Sequence, residues 1–176
     1  MSNSTEYLEG LPMVKAAKAL AELAHKGQVR KFGPDKGKSY FETHLTRVAQ
    51  AVKRDAPANY VAQAVAWLHD GKEDQPEHIN DIKLTAMGFP PEVIRGVDDI
   101  TYCKGRESYL EYLKRAYRNP SSRHVKRRDM NDNAGILVVG SNDSKATKYL
   151  LALELFEIWD SLLIMTKAIV ERPSRR

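Results

Sequence analysis

The chain lacks most of what would hold a secreted or membrane-bound protein together. It has one cysteine in 176 residues, Cys103, so no disulfide framework can form within it. That composition suits a reducing compartment. No apolar run approaches the roughly 18 residues that suggest a membrane span. The opening Met-Ser-Asn-Ser-Thr-Glu-Tyr has neither a basic nor an apolar segment, so no signal peptide is expected. Internal repeats, low-complexity tracts and linkers are absent too. Period-two alternation is missing apart from the short run Ile136 to Val139, where a strand is the alternative to helix. The expectation is a cytoplasmic chain with no membrane partner. An acidic excess is also lacking. The formal charge is +5 and the pI is about 9.2. That balance suits a polyanionic partner: a phosphorylated nucleotide, a nucleic acid or an acidic protein.

What is present is helical pattern. Pro12 fits the first turn of a helix with Met13, Ala16, Ala17, Leu20 and Ala24 on one face, and Gly27 is placed to end it. Residues 31 to 42 read as a polar loop with Gly33, Pro34 and Gly37. Thr43 is placed to cap a helix bearing Leu45, Val48, Ala49 and Val52. Asn59 can cap a third, through Val61, Ala64, Val65 and Leu68. Further helices are predicted near 79–87, 91–100, 107–118 and 122–138. The longest runs from about Asp143 to about Val170. One all-α domain is the reading, with its core over about 11–170 and flexible tails at 1–10 and 171–176.

The chemistry concentrates in Trp67-Leu68-His69-Asp70-Gly71-Lys72-Glu73-Asp74. His69 and Glu73 lie four apart, as do Asp70 and Asp74, so a continuing helical turn stacks each pair on a shared face. Imidazole with carboxylate is a donor set for manganese, iron or zinc. The competing reading is a charged helix end with a buried, hydrogen-bonded His69. The run Arg123 to Arg128 has its own plain alternative, a solvated helix face. His25, His78 and His124 have no partner at ligand spacing and read as structural or exposed. Trp67 and Trp159 read as core.

His44 precedes His69 by 25 residues, and Asp129 lies far downstream. His, His-Asp and a distant Asp on separate helices resemble the HD phosphohydrolase superfamily. Neighbouring motifs narrow the resemblance to the RelA/SpoT hydrolase domain. Ala24-His25-Lys26-Gly27-Gln28-Val29-Arg30-Lys31 is similar to its A-H-x-G-Q-x-R-K opening, and His69 to Asp74 to its H-D-x-x-E-D. Val97 to Thr101 resembles V-x-x-V-T. Val125-Lys126 with Asp129 to Asn133 resembles V-K-x-x-D-x-x-x-N. Lys145, Lys148 and Tyr149 fall where that family has a basic residue four before a tyrosine. The likeness runs from about residue 13 to 155, with no room for synthetase or regulatory domains, so the match is to small alarmone hydrolases.

The resemblance implies an HD-type bundle with a metal site in a central cleft. It implies one divalent metal, Mn²⁺, held by His44, His69, Asp70 and Asp129, with Glu73 and Asp74 as acid/base pair. Two nearby carboxylates repel, which favours one keeping its proton. The implied reaction removes pyrophosphate from the ribose 3′ position of (p)ppGpp. Arg30 would pack on the base, while Lys31, Asn133, Lys145 and Tyr149 would meet phosphates. A cleft is expected between the helix containing Arg30 and the segments containing Asn133 and Tyr149. The chain departs from the family at Ser39-Tyr40-Phe41-Glu42-Thr43-His44, where tyrosine comes one place early, so Tyr40 is a candidate substitute contact. Arg127 and Arg128 also replace small apolar residues. The alternatives are an adenosine alarmone, the 2′-phosphate of NADPH or a nucleoside monophosphate as substrate, and a nucleotide- or RNA-binding module without turnover. A cognate alarmone synthetase is the implied functional partner, in a housekeeping or antitoxin role.

Overall fold

Apolar residues recur along this chain at helical spacing, and the computed structural model, which describes residues 9–139 and 143–170, turns them into helices. No strand forms among the described residues; isolated bridges join Val29 to Ser39 and Lys104 to Glu107. The expected all-α class holds. No helix of the described residues is long and apolar enough to cross a membrane. Of the expected flexible tails, only Glu9 and Gly10 are described, and Gly10 already opens the first helix. The rest lie outside the described residues.

The first helix, α1 (Gly10–Ala24), buries Met13, Ala17, Leu20, Ala21 and Ala24. Gly27 follows with φ +80, a left-handed turn that favours glycine. The loop beyond is pinned by Arg30 N–H donating to the Lys38 carbonyl at 2.9 Å.

The second helix begins earlier than expected. A π-helical turn, Phe41–Leu45, leads without a break into α2 (Thr46–Asp55). Thr43 is therefore inside a turn and is no N-cap. Its hydroxyl donates back to the Ser39 carbonyl at 2.6 Å, and the Thr46 hydroxyl donates to the Phe41 carbonyl at 2.8 Å. The widened turn is the kind of local insertion often found at functional sites. It carries His44 into the interior.

Asn59 caps α3 (Tyr60–Leu68) as expected, accepting from Ala62 N–H at 2.9 Å. Ala62, Ala64 and Ala66 are fully buried, and α3 packs against α1, α2, α6 and α8. At the end of α3 the chain stays near helical through His69, and Asp70 bends it into the short α4 (Gly71–Asp74). Asp74 N–H still donates to the Asp70 carbonyl at 2.9 Å, so one helical turn is kept between those two residues across the kink.

Three helices follow: α5 (Asp81–Ala86), α6 (Pro91–Ile100) and α7 (Tyr109–Arg118), the last with a capping box between Ser108 and Glu111. Then come α8 (Pro120–Val139) and α9 (Asp143–Val170). The run at 136–139 is helical, in agreement with the preferred reading.

Among the described residues two apolar clusters form. The larger joins α1, α2, α3 and α6 and includes Trp67, as expected. The smaller gathers Tyr112, Leu113, Met130, Ala152 and Phe156 from α7, α8 and α9, with Trp159 packed at its margin. Helix α8 touches α2, α3, α6, α7 and α9. It gives Val125 to the first cluster and Met130 to the second. This shared helix also carries Asp129, Asp132 and Asn133.

Candidate metal centre

His44, His69 and Asp70 form a group that could hold a metal ion, with one ligand atom from each within 4.8 Å of the others. Nε2 of His69 lies 3.2 Å from Nε2 of His44. Asp70 Oδ2 is 3.3 Å from the His44 nitrogen and 3.1 Å from that of His69. Asp129, the fourth expected ligand, reaches the same point from α8. Its Oδ1 stands 3.3 Å from His44 Nε2 and 3.7 Å from His69 Nε2. Three separate segments thus converge, and both histidines and Asp129 are buried.

The other faces of the imidazoles explain why this donor set fits a cation. His44 Nδ1 meets Asp132 Oδ2 at 2.7 Å, and His69 Nδ1 meets the Ala66 carbonyl at 2.8 Å. Both partners accept, so each Nδ1 carries a hydrogen and each Nε2 can present a lone pair inward. Two lone pairs and two carboxylates facing one point need positive charge between them. In the metal-free protein, protons supply it. Burial alone would lower His44, yet the bonds from Asp129, Asp132 and Asp70 overcome this and raise it to about 9. His69 is likewise driven upward against burial by Asp70 and Asp129. Burial would raise Asp70 and Asp129, but the histidines, and for Asp129 first Lys126, hold both well below the carboxylate range.

Behind the ligands lies a layer that the spacing argument missed. Lys126, buried on α8, donates to Asp129 Oδ2 at 2.8 Å. Asn133 Nδ2 donates to Asp129 Oδ1 at 2.6 Å. Arg47 binds Asp132 through Nε at 2.5 Å and Asp35 through an Nη at 2.8 Å. Lys126 and Asp132 lie three residues on either side of Asp129, so helical spacing was the available signal.

The two acid/base candidates part company. Glu73 accepts from Tyr102 N–H and is pushed up to about 7, first by burial and then, against that hydrogen bond, by the charges of Asp70 and Asp129. Repulsion by Asp74 is not among the leading causes, so the expected mutual effect of the pair is replaced by burial. Asp74 instead accepts from Gln28 Nε2 at 2.7 Å and lines a cavity.

That cavity, about 300 Å³, is walled by Arg30, Lys31, Tyr40, Asn133, Lys145 and Tyr149. All six residues expected to meet the substrate are therefore together. Gln28, Val29, Phe32 and Lys148 join them unforeseen. Arg30 is not on a helix; it follows α1 in the bridged loop. Its guanidinium donates to Asn133 Oδ1 at 3.3 Å and lies 5.5 Å from the Tyr40 ring centroid. The Tyr40 hydroxyl donates to Asp70 Oδ2 at 2.5 Å, which ties the cavity wall to the metal group. Phe41, in the family's tyrosine slot, stacks on Trp67. Lys145 Nζ is 4.0 Å from the Phe32 ring centroid. An aromatic residue in an otherwise polar loop was the signal overlooked.

The basic run is not a free surface. Arg123 and Arg127 pair with Asp160, Arg128 and His124 with Asp55, and Lys126 with Asp129. His25 is buried, with Nδ1 2.6 Å from Gln28 Oε1 and Nε2 without a hydrogen-bond partner among the described residues. No family model matches the chain and no curated protein matches it significantly.

Proposed function

We propose that this chain is a metal-dependent phosphohydrolase of the HD type that removes pyrophosphate from the 3′ position of (p)ppGpp, yielding GDP or GTP. One observation carries the reading: two inward imidazole nitrogens and two carboxylates stand beside a cavity walled by Arg30, Lys31, Lys145 and Lys148. Such a cavity suits a substrate with several phosphates, whose charge one divalent ion cannot balance.

His44, His69, Asp70 and Asp129 would hold the ion, Mn²⁺ in this reading. When bound, it polarises a phosphoryl oxygen and lowers the pKa of adjacent water. The chain's own residues do the rest. Lys31, Lys145, Asn133 and Tyr149 bind phosphate oxygens, and Arg30 packs on the base. Water adds to phosphorus, the bond from phosphorus to the 3′ oxygen breaks, and that oxygen gains a proton. Glu73, poised at about 7, is matched to proton transfer near neutrality. Asp74 serves the reaction from the cavity side, where Gln28 fixes it. Internal pairing of the basic run favours a nucleotide over RNA.

The test is turnover with Mn²⁺ of ppGpp, pppGpp, an adenosine 3′-pyrophosphate, NADPH and nucleoside monophosphates, with products separated chromatographically. GDP and pyrophosphate in equal amounts from ppGpp are expected. Turnover of only another member would keep the HD chemistry and replace the substrate. Binding without turnover of any would overturn the enzyme reading.

A further inference from the structure

We propose that the Tyr109 hydroxyl and the Lys148 ammonium form an oxyanion contact beside the metal group, in which Tyr109 donates a hydrogen bond to a phosphoryl oxygen of the substrate. The inference rests on the phosphohydrolase reading and adds a catalytic residue to it.

Tyr109 opens α7, where the capping box of Ser108 and Glu111 fixes the backbone. Its ring stands edge-on to Tyr102 and tilted against Tyr112, with the centroids 5.8 Å apart in each case. The hydroxyl on this well-held ring is buried and has no hydrogen-bond partner among the described residues. Such a group costs stability and gives the fold nothing in return. Its surroundings are those of the reaction. Tyr102 gives its N–H to Glu73. Lys126, 5.0 Å from the Tyr112 ring centroid, donates to Asp129. The charges of Lys126, Asp129 and Glu73 all reach the phenol. Burial, ahead of those charges, raises it above the ordinary tyrosine value, so near neutrality it keeps its hydrogen and can donate.

The nearby acceptors are committed: Glu73 to Tyr102, and Asp129 to Lys126 and Asn133. The acceptor that suits Tyr109 is one a substrate brings. Lys148 supplies the other half of the contact. It lines the cavity and rests on the Tyr109 ring, with Nζ 3.9 Å from the centroid. Its contacts are the rings of Tyr109 and Tyr149, and among the described residues no carboxylate pairs with it. A hydroxyl without an acceptor beside an ammonium without a carboxylate is the complement of an oxyanion. The lysine stem is flexible, so the ammonium can turn from the ring to a phosphate and uncover the phenol. As water adds to phosphorus and the 3′ oxygen leaves, charge grows on the phosphoryl oxygens. Tyr109 keeps its proton and stabilises that charge.

Tyr109→Phe in the full chain is the test, since the ring remains and only the hydroxyl goes. On the nucleotide that wild type hydrolyses, kcat should fall by about 10²-fold, with KM little changed and stability in urea no lower than wild type. Turnover equal to wild type would overturn the inference and leave the phosphohydrolase reading intact. A loss of activity that follows a loss of stability would also overturn it, by marking a packing role. Inorganic pyrophosphate, titrated calorimetrically with Mn²⁺ present, reads the contact without turnover. Its affinity should drop about 10-fold in Lys148→Met, and an unchanged affinity would overturn the inference. Lys148-dependent pyrophosphate binding with no turnover of any nucleotide would instead overturn the phosphohydrolase reading, and the role of Tyr109 with it.

Discussion

The two apolar clusters are built on different principles. The larger is packed with small residues: Ala17, Ala21, Ala62, Ala64 and Ala66 are all fully buried. Helices approach so closely there that a Cβ added at Gly96 would lie 2.6 Å from Val65 Cγ2. The smaller is aromatic, with Tyr112 and Phe156 buried and Tyr102, Tyr109, Tyr117, Tyr149 and Trp159 only partly so. Ring edges and hydroxyls leave its margin polar, and cations lie over its rings: Lys126 over Tyr112, Lys148 over Tyr109, Arg127 over Phe156. Close packing fixes His44 and His69 from the first cluster. The second brings Tyr149, Lys145 and Lys148 to the cavity. Helix α8, which carries Asp129, gives Val125 to the first cluster and Met130 to the second, so the candidate metal group and the cavity lie where the two regions join.

Breaking that junction should have the largest effect. Asp129→Ala should abolish metal binding and turnover. It should also leave Lys126 buried without its partner, at a cost of about 3–5 kcal/mol in urea unfolding. Adding Lys126→Met should recover stability without recovering metal. If the single variant is as stable as wild type, the buried pair is not what joins the two regions.

Glu73→Gln should reduce turnover by about 10²- to 10⁴-fold with metal retained. Its folded pKa of about 7 lies above the ordinary 4.5, so folding takes up a proton between these values. The stability due to this group is therefore complete below about 4.5 and declines as pH rises through 7. Unfolding at pH 5 and 7.5 should show that decline in wild type and not in the variant. Equal pH dependence in both would remove Glu73 from the proton-transfer role.

Asp132→Asn should weaken metal affinity by about 10- to 100-fold, because Asp132 fixes the His44 ring from behind. His44, raised to about 9 in the metal-free protein, must lose its proton to bind a cation. Calorimetry at pH 7 in two buffers should register proton release, and affinity should grow as pH approaches 9. Affinity independent of both would mean that the histidines are not ligands.

Gly96→Ala tests the tight cluster itself, with an expected loss of about 1–3 kcal/mol from overpacking. A neutral result would show that α3 and α6 have room to part. The smallest effect is expected at the cavity wall. Arg30→Ala should raise KM by ~3- to 10-fold with kcat nearly kept, because a stacking contact is equal in ground and transition states. A fall in kcat instead would assign Arg30 to the reacting centre.

The sequence by itself determined the helices and their main stops, and the resemblance pointed to His44, His69 and Asp70, which the fold gathers into a group that could hold a metal. Apolar residues at 3.6-residue spacing, Asn59 before Tyr60 and Gly27 after Ala24 act over a few positions, and short-range rules read them directly. The resemblance, and one departure from it at Tyr40, also pointed to Arg30, Lys31, Tyr40, Asn133, Lys145 and Tyr149, which the fold places around one cavity. Tertiary structure alone decided the rest. Glu73 and Asp74 are adjacent in the chain, yet one accepts from the Tyr102 N–H and the other faces the cavity beside Gln28. Asp132 meets the His44 ring only because the π-helical turn and α2 bring His44 and Arg47 against α8. Thr43 was a sound cap by local chemistry until the π-helical turn used its hydroxyl within the helix. Burial and charge pairing depend on which helices meet across long stretches of chain, and no periodicity within one helix carries that information.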